Sequence, residues 1–156
     1  MLSALLVLTN GVVASEEYFN QLNEIDQLIG TNFPLAKEKL SELDAKLEQF
    51  TDQQRAYYYT LTSLFHIYLS EYQQAKTALD NALNAAPSEE LLTRIYLYKV
   101  TVSNGLKDYE TAFTTLATNL ARIETYQDNK IKIVSYIRLL NVLMDLYAYE
   151  EMLNTA

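Results

Sequence analysis

His66 is the single imidazole in a chain of 156 residues that contains no cysteine. One ring without a second histidine at helical spacing makes a poor metal site. Without a thiol there is neither a thiolate ligand nor a cysteine nucleophile. The pattern around His66 is helical, so it reads as a half-buried packing residue with a polar tip rather than an acid–base catalyst. The carboxylates add little. Glu16-Glu17, Glu89-Glu90 and Glu150-Glu151 stand near helix starts, where negative charge favours the helix dipole. The three glycines are isolated, so no glycine-rich loop cradles a phosphate. The expectation is a non-catalytic chain with no cofactor and no metal.

Thirteen tyrosines remain as candidates for binding rather than reaction. Tyr57-Tyr58-Tyr59 and Tyr96-Leu97-Tyr98 place aromatic rings at consecutive helical positions. Consecutive positions point in different directions, so not all of these rings can serve the core. The net charge of −8, with scattered lysines and arginines, disfavours a phosphate backbone and so argues against nucleic acid as a partner.

Positioning such side chains requires long, regular elements, and the composition supplies them. Apolar residues make up 49% of the chain, and only 3 Gly and 2 Pro interrupt it. Ala, Leu, Gln, Glu and Lys favour helix, so the chain reads as all-α. Tyr18, Leu22, Ile25 and Ile29 fall on one helical face. Gly30-Thr31-Asn32 breaks that helix, and Pro34 suits the first turn of the next. Ala36, Leu40, Leu43, Leu47 and Phe50 then form a second stripe. Thr51 followed by Gln54 is a capping box, opening a helix with Leu61, Leu64, Phe65 and Tyr68 on it. Ser70-Glu71 marks a turn before a helix over 72–85, which Ala86-Pro87 ends. Ser88 caps a third pair, over 89–103 and 107–123, with Asn104-Gly105 at its turn. A fourth pair follows the polar break Tyr126-Gln127-Asp128-Asn129. Its second helix begins near Tyr149 and is cut short at Ala156, as in a fragment of a longer protein.

One phrase recurs along these elements. EYQQAKTAL (71–79), DYETAFTTL (108–116) and AYEEMLNTA (148–156) place their tyrosines 37 and 40 residues apart. Ala36, Ala75, Ala112 and Met152 mark the same register. A period in this range predicts stacked helical hairpins that share a core. Tyr72 and Ala75 lie on one face, the alanine where two helices approach closely and the tyrosine beside the turn.

With Tyr59, Ser63, Tyr72, Ala75, Leu79, Ala82 and Pro87, the second hairpin resembles the tetratricopeptide repeat. The third keeps Tyr96, Tyr109, Ala112 and Leu116 but carries Val100 and Glu124 at the small-residue and proline positions. The fourth keeps Tyr136 and Tyr149, and the first keeps Phe33, Ala36 and Leu40. The period exceeds the usual repeat of about 34 residues. The resemblance implies an α-solenoid of about four tetratricopeptide-like hairpins. A narrower similarity links QQRAYYYTLTSLFHIYLSEYQQAKTAL, LKDYETAFTTL and NKIKIVSYIRLLNVLMDLYAYEEML to the N-terminal sensor region of proteobacterial diguanylate cyclases. That similarity implies a periplasmic input domain, with a membrane anchor and the cyclase beyond Ala156. No cyclase active-site residue lies in this chain.

The leader bears on export. Residues 1–14, MLSALLVLTNGVVA, are apolar, uncharged in their side chains and too short to span a bilayer. They fit a secretory signal with Val12 and Ala14 at the −3 and −1 positions, or else an extra apolar helix in the first hairpin. In the second case the protein is cytoplasmic. The repeat domain covers 15–156.

In a tetratricopeptide-like stack the first helices line a concave groove. The alanine register places Tyr57, Thr60, Leu64 and Ile67 there, then Arg94, Leu97, Thr101 and Asn104, then Val134, Ile137, Asn141 and Met144. This mixed apolar and amide row suits an extended peptide or a small helix of a protein partner. A clamp for a C-terminal carboxylate would need more cations than Arg94. The leading expectation is a protein- or peptide-binding sensory module. Its membrane contact would come only through the leader or a downstream anchor. The alternative is a scaffold for homo-oligomerisation or complex assembly.

Overall fold

The computed structural model describes residues 2–127 throughout, residues 2–15 by backbone alone, and beyond them Asn129, Lys132, Ile133, Tyr136, Ile137, Leu140 and Met144. Among the described residues the chain is all-helical, with no strand. The helices are α1 (Leu2–Ile29), α2 (Phe33–Asp44), α3 (Asp52–Tyr68), α4 (Tyr72–Asn84), α5 (Glu89–Gly105) and α6 (Tyr109–Thr125). Each odd-numbered helix pairs with the even-numbered helix that follows it. In addition α3 lies against α1 and α5, and α4 against α5. The odd-numbered helices therefore run side by side as one layer.

Local chemistry explains the boundaries. Asn32 accepts the Leu35 N–H at the start of α2, with Pro34 in the first turn. At α3 the capping box closes in both directions: Thr51 Oγ1 accepts the Gln54 N–H at 3.3 Å, and Gln54 Oε1 accepts the Thr51 N–H at 2.8 Å. Ser88 caps α5 by accepting the Leu91 N–H. The stripe expected to continue α2 through Phe50 instead leaves the α-helix after Asp44 and passes through a 3₁₀ turn at Leu47–Gln49. That turn carries Phe50 into the core, 4.8 Å from the Tyr18 ring and 6.2 Å from the Tyr58 ring. At the other end α1 begins at Leu2, well before Glu16, without a break at Gly11. A continuous helix accommodates either reading of residues 1–14.

The turns repeat in detail. Ser70 and Lys107, each two residues before a phrase tyrosine, have φ of 58° and 61°. The Glu71 N–H bonds to the His66 carbonyl, and the Asp108 N–H bonds to the Ser103 carbonyl, at 2.9 and 2.8 Å. These six-to-one bonds satisfy carbonyls that the helix end would leave open. Asn104 and Gly105, expected to supply the left-handed residue, remain inside α5, and Lys107 supplies it instead.

Gly105 has a different task. A Cβ there would sit 2.5–2.6 Å from the Cζ, Cε1 and Cε2 atoms of Tyr72. The phrase tyrosine thus lays its ring on the bare backbone at the end of the next hairpin's first helix. Its companion alanines are buried: Ala36 and Ala75 are fully enclosed and Ala112 nearly so. Leu79, Ala82, Ile95 and Val102 complete the core around Ala75. A second cluster around Leu22, Ile25, Leu43, Leu61 and Phe65 joins α1, α2 and α3.

Gly105→Ala should gain about 1 kcal/mol of helix propensity and lose about 1–3 kcal/mol by overpacking against Tyr72. Urea denaturation should show a net destabilisation of about 1 kcal/mol. In a Tyr72→Ala background the same change should stabilise. A stabilising Gly105→Ala in the otherwise unchanged chain would contradict the packing described.

Candidate functional site

Each helix of the odd-numbered layer presents a mostly polar set of side chains on one side. On α1 these are Phe19, Asn23 and Asp26, one step round from the core stripe of Leu22, Ile25 and Ile29. On α3 they are Gln53 and Tyr57, and on α5 Glu90, Leu91 and Arg94. Together with Ser88 these side chains line a cleft of about 260 Å³.

A polar lattice crosses the layer at the floor of the cleft. Arg94 donates from Nη1 to Asp26 Oδ2 at 2.6 Å and from Nη2 to Asp26 Oδ1 at 2.5 Å, a two-pronged pair between α5 and α1. Its Nε donates to the Tyr98 hydroxyl at 2.7 Å, and the guanidinium stands 5.4 Å from the centre of the Tyr98 ring. The Arg94 side chain is only 14% exposed and that of Asp26 27%. Burial alone would lower the Arg94 pKa, but Asp26 and Tyr98 more than reverse this and hold it firmly cationic.

Tyr57 joins the same carboxylate from α3. Its hydroxyl is 2.9 Å from Asp26 Oδ2 and 3.0 Å from Asn23 Oδ1. A phenol has one proton, and the carboxylate is the stronger acceptor. Asn23 is therefore best turned so that its NH₂ faces the phenol oxygen. Burial first, and the negative charge of Asp26 second, push the Tyr57 hydroxyl above the usual tyrosine range. Burial and the hydrogen bond to Asp44 at 2.9 Å do the same for Tyr58.

The structure brings together two of the expected groove residues, Tyr57 and Arg94, and separates the rest. Thr60 and Leu97 are buried in the core and cannot meet a ligand. Each stands three residues after its cleft residue, about 60° round the helix and towards the partner helix. The Thr60 hydroxyl is occupied by its own helix, donating to the Ala56 carbonyl at 2.7 Å. Leu64 and Ile67 are half-buried against the two core clusters. Thr101 and Asn104 are half-buried on α5 away from the cleft. Ile137 and Met144 are exposed, while Val134 and Asn141 lie outside the described residues.

The register missed Phe19, Asn23, Asp26, Gln53, Ser88, Glu90 and Leu91. One signal for the α1 group was present: 19, 23 and 26 have the same helical spacing as the apolar stripe beside them. His66 is half-buried as expected, with Nδ1 2.7 Å from Glu71 Oε2 across the turn into α4. Among the described residues no cluster of three metal-ligating side chains occurs, and no helix is long and apolar enough to cross a membrane.

An all-helical chain with a polar cleft across three neighbouring helices is the class that these observations define. No protein-family model matches the chain, and no curated protein or solved structure matches it either.

Asp26→Asn or Arg94→Met should each lower stability by about 2–3 kcal/mol, less than the loss for a fully buried pair, because part of this one meets water. The double change Asp26→Leu with Arg94→Met should recover part of that loss, since no buried charge is left alone. Denaturant titration of the three variants measures both effects.

The raised tyrosine pKa values give a second test. The fold holds the neutral phenols, so Tyr57 and Tyr58 contribute stability that is fully present below the ordinary tyrosine pKa of about 10. That contribution is lost as pH rises from there through their elevated values. Tyrosinate absorbance should show that Tyr57→Phe and Tyr58→Phe each remove a late ionisation. Each variant should also show a shallower loss of stability above about pH 10.

Proposed function

We propose that the chain is a non-catalytic, partner-binding module. In this reading it is an α-solenoid of tetratricopeptide-like hairpins that holds a peptide segment of another protein in the cleft formed by α1, α3 and α5. One observation carries it: the cleft crosses three first helices of successive hairpins and contains Tyr57 and Arg94. The repeated turn at Ser70 and Lys107 and the buried alanine register support the hairpin stack. Amide and carboxylate acceptors beside aromatic rings suit a peptide, whose backbone offers N–H groups at regular spacing. The similarity to exported sensor regions suggests the setting, a periplasmic input domain whose occupancy is passed to an output domain.

A scaffold role has its own observation. Tyr109, Phe113 and Leu120 on α6, with Ile133, Ile137, Leu140 and Met144 beyond it, are large apolar side chains left exposed. Phe113 is 72% exposed, at the register position that Lys76 occupies on α4. Such a surface suits assembly rather than peptide capture.

Screening a bead-bound hexapeptide library separates the two. On the cleft reading, the Asn23→Ala/Gln53→Ala variant should bind selected peptides roughly tenfold more weakly, the loss expected for two hydrogen bonds of about 0.5–1.5 kcal/mol each. Its helical circular dichroism should be unchanged. If binding survives that variant, while Phe113→Ser dissociates an oligomer seen by analytical ultracentrifugation, the cleft reading fails and the scaffold reading stands.

A further inference from the structure

The size of the cleft narrows what it can hold. At about 260 Å³ it falls below the roughly 300–1,000 Å³ of sites that enclose cofactors and drug-sized ligands. One long side chain with its adjoining backbone is a better match.

Its charge narrows the choice further. Three formally charged side chains line it: Asp26, Glu90 and Arg94. Arg94 is drawn onto Asp26 through two bonds and onto Tyr98 through a third, so the one cation is already committed. Glu90 is exposed and forms no ion pair among the described residues. The start of α5 would by itself favour an anion. There, however, Ser88 already satisfies the Leu91 N–H, and Glu90 stands in the first turn as a counter-charge.

The polar remainder includes open acceptors. Gln53 commits its NH₂ to the Ala86 carbonyl at 2.9 Å, which leaves its Oε1 open. Asn23 Oδ1 lies 3.0 Å from the Tyr57 hydroxyl; since the single phenol proton goes to Asp26, turning the amide so that its NH₂ faces Tyr57 leaves Oδ1 open as well. Phe19 and Tyr57 supply an apolar wall and aromatic surface, on which a methylene stem packs and a cation is attracted to the ring. The net charge of −8 steers cations towards the whole chain.

We propose that this cleft is a receptor for one basic side chain, lysine or arginine, of a protein partner. Glu90 accepts from the charged head, Asn23 and Gln53 accept from its remaining N–H groups, and Phe19 and Tyr57 flank the stem. This rests on the reading of the cleft as a peptide site and adds the identity of the anchoring residue.

The test uses the full chain and blocked alanine pentapeptides whose central residue is Lys, Arg, norleucine or Glu, followed by amide NMR. The Lys and Arg peptides should shift Phe19, Asn23, Tyr57 and Glu90. The norleucine peptide, which keeps the stem and loses the charge, should bind roughly tenfold more weakly. Glu90→Gln, an exposed change that leaves the core intact, should erase most of that difference. Binding of the basic peptides should also weaken between about 0.05 and 0.5 M salt. If norleucine or Glu peptides bind the same residues as well as Lys does, the basic-anchor proposal is wrong while the peptide site stands. If none of the four peptides shifts the cleft, and the hexapeptide screen also yields no binder there, both are wrong.

Discussion

The ion pair between Asp26 and Arg94 is the interaction on which the cleft depends. The two residues are 68 positions apart and sit on helices separated by α3. Two charges removed from most of their water need good geometry and further hydrogen bonds to be tolerated. Both are present. The guanidinium meets the carboxylate with two prongs, its third bond goes to Tyr98, and Tyr57 adds a donor to the same carboxylate. The result is a floor whose charges are internally balanced. The cleft walls keep open acceptors, on which the proposed preference for a basic side chain rests.

That pair can form only because three helices arrive at the same level. The arrival is set by contacts that carry no chemistry. Ala75 lets α3 and α4 approach closely, Ala112 does the same for α5 and α6, and Ala36 for α2. The turns at Ser70 and Lys107 use one backbone geometry, so consecutive hairpins leave their turns alike. Tyr72 then rests on Gly105, which locks the second hairpin against the end of α5. A left-handed residue that is not glycine carries a strain of about 1–2 kcal/mol. Spending it twice at equivalent positions indicates that the turn shape matters more than its local ease.

Much of the helical order was legible because it rests on local rules. The capping box at Thr51, the serine cap at Ser88 and the proline break after Ala86 each depend on residues within a few positions. The errors fell where tertiary packing overrules them. Phe50 left the helical stripe because the core drew it towards Tyr18 and Tyr58. Gly105 read as a turn residue because glycine often is one, whereas here it is a flat place for a neighbouring ring. Tyr57 and Arg94 were found because the phrase register extends to them. Asp26 was not, because the first hairpin keeps only Phe33, Ala36 and Leu40 of that phrase. Thr60 and Leu97 were placed in the groove by a register that counted turns correctly but ignored the 60° offset within a turn, about the width that separates lining from core.

The cleft and the exposed face of α6 then divide by chemistry rather than by position in the sequence. The cleft is polar and held in place by its own hydrogen bonds, so a ligand entering it pays little to order the site. The side chains of Tyr109, Phe113 and Leu120 are apolar and lie on α6, a helix that does not line the cleft. A directional site selects by charge and hydrogen bonding, while an apolar surface contributes area with little selectivity. Because the two share no lining residue, assembly through α6 leaves Glu90, Asn23 and Gln53 free. The two proposed roles, assembly and partner capture, therefore do not compete for the same side chains. On the proposed partner-binding role, selectivity would rest on the polar cleft rather than on the apolar face of α6.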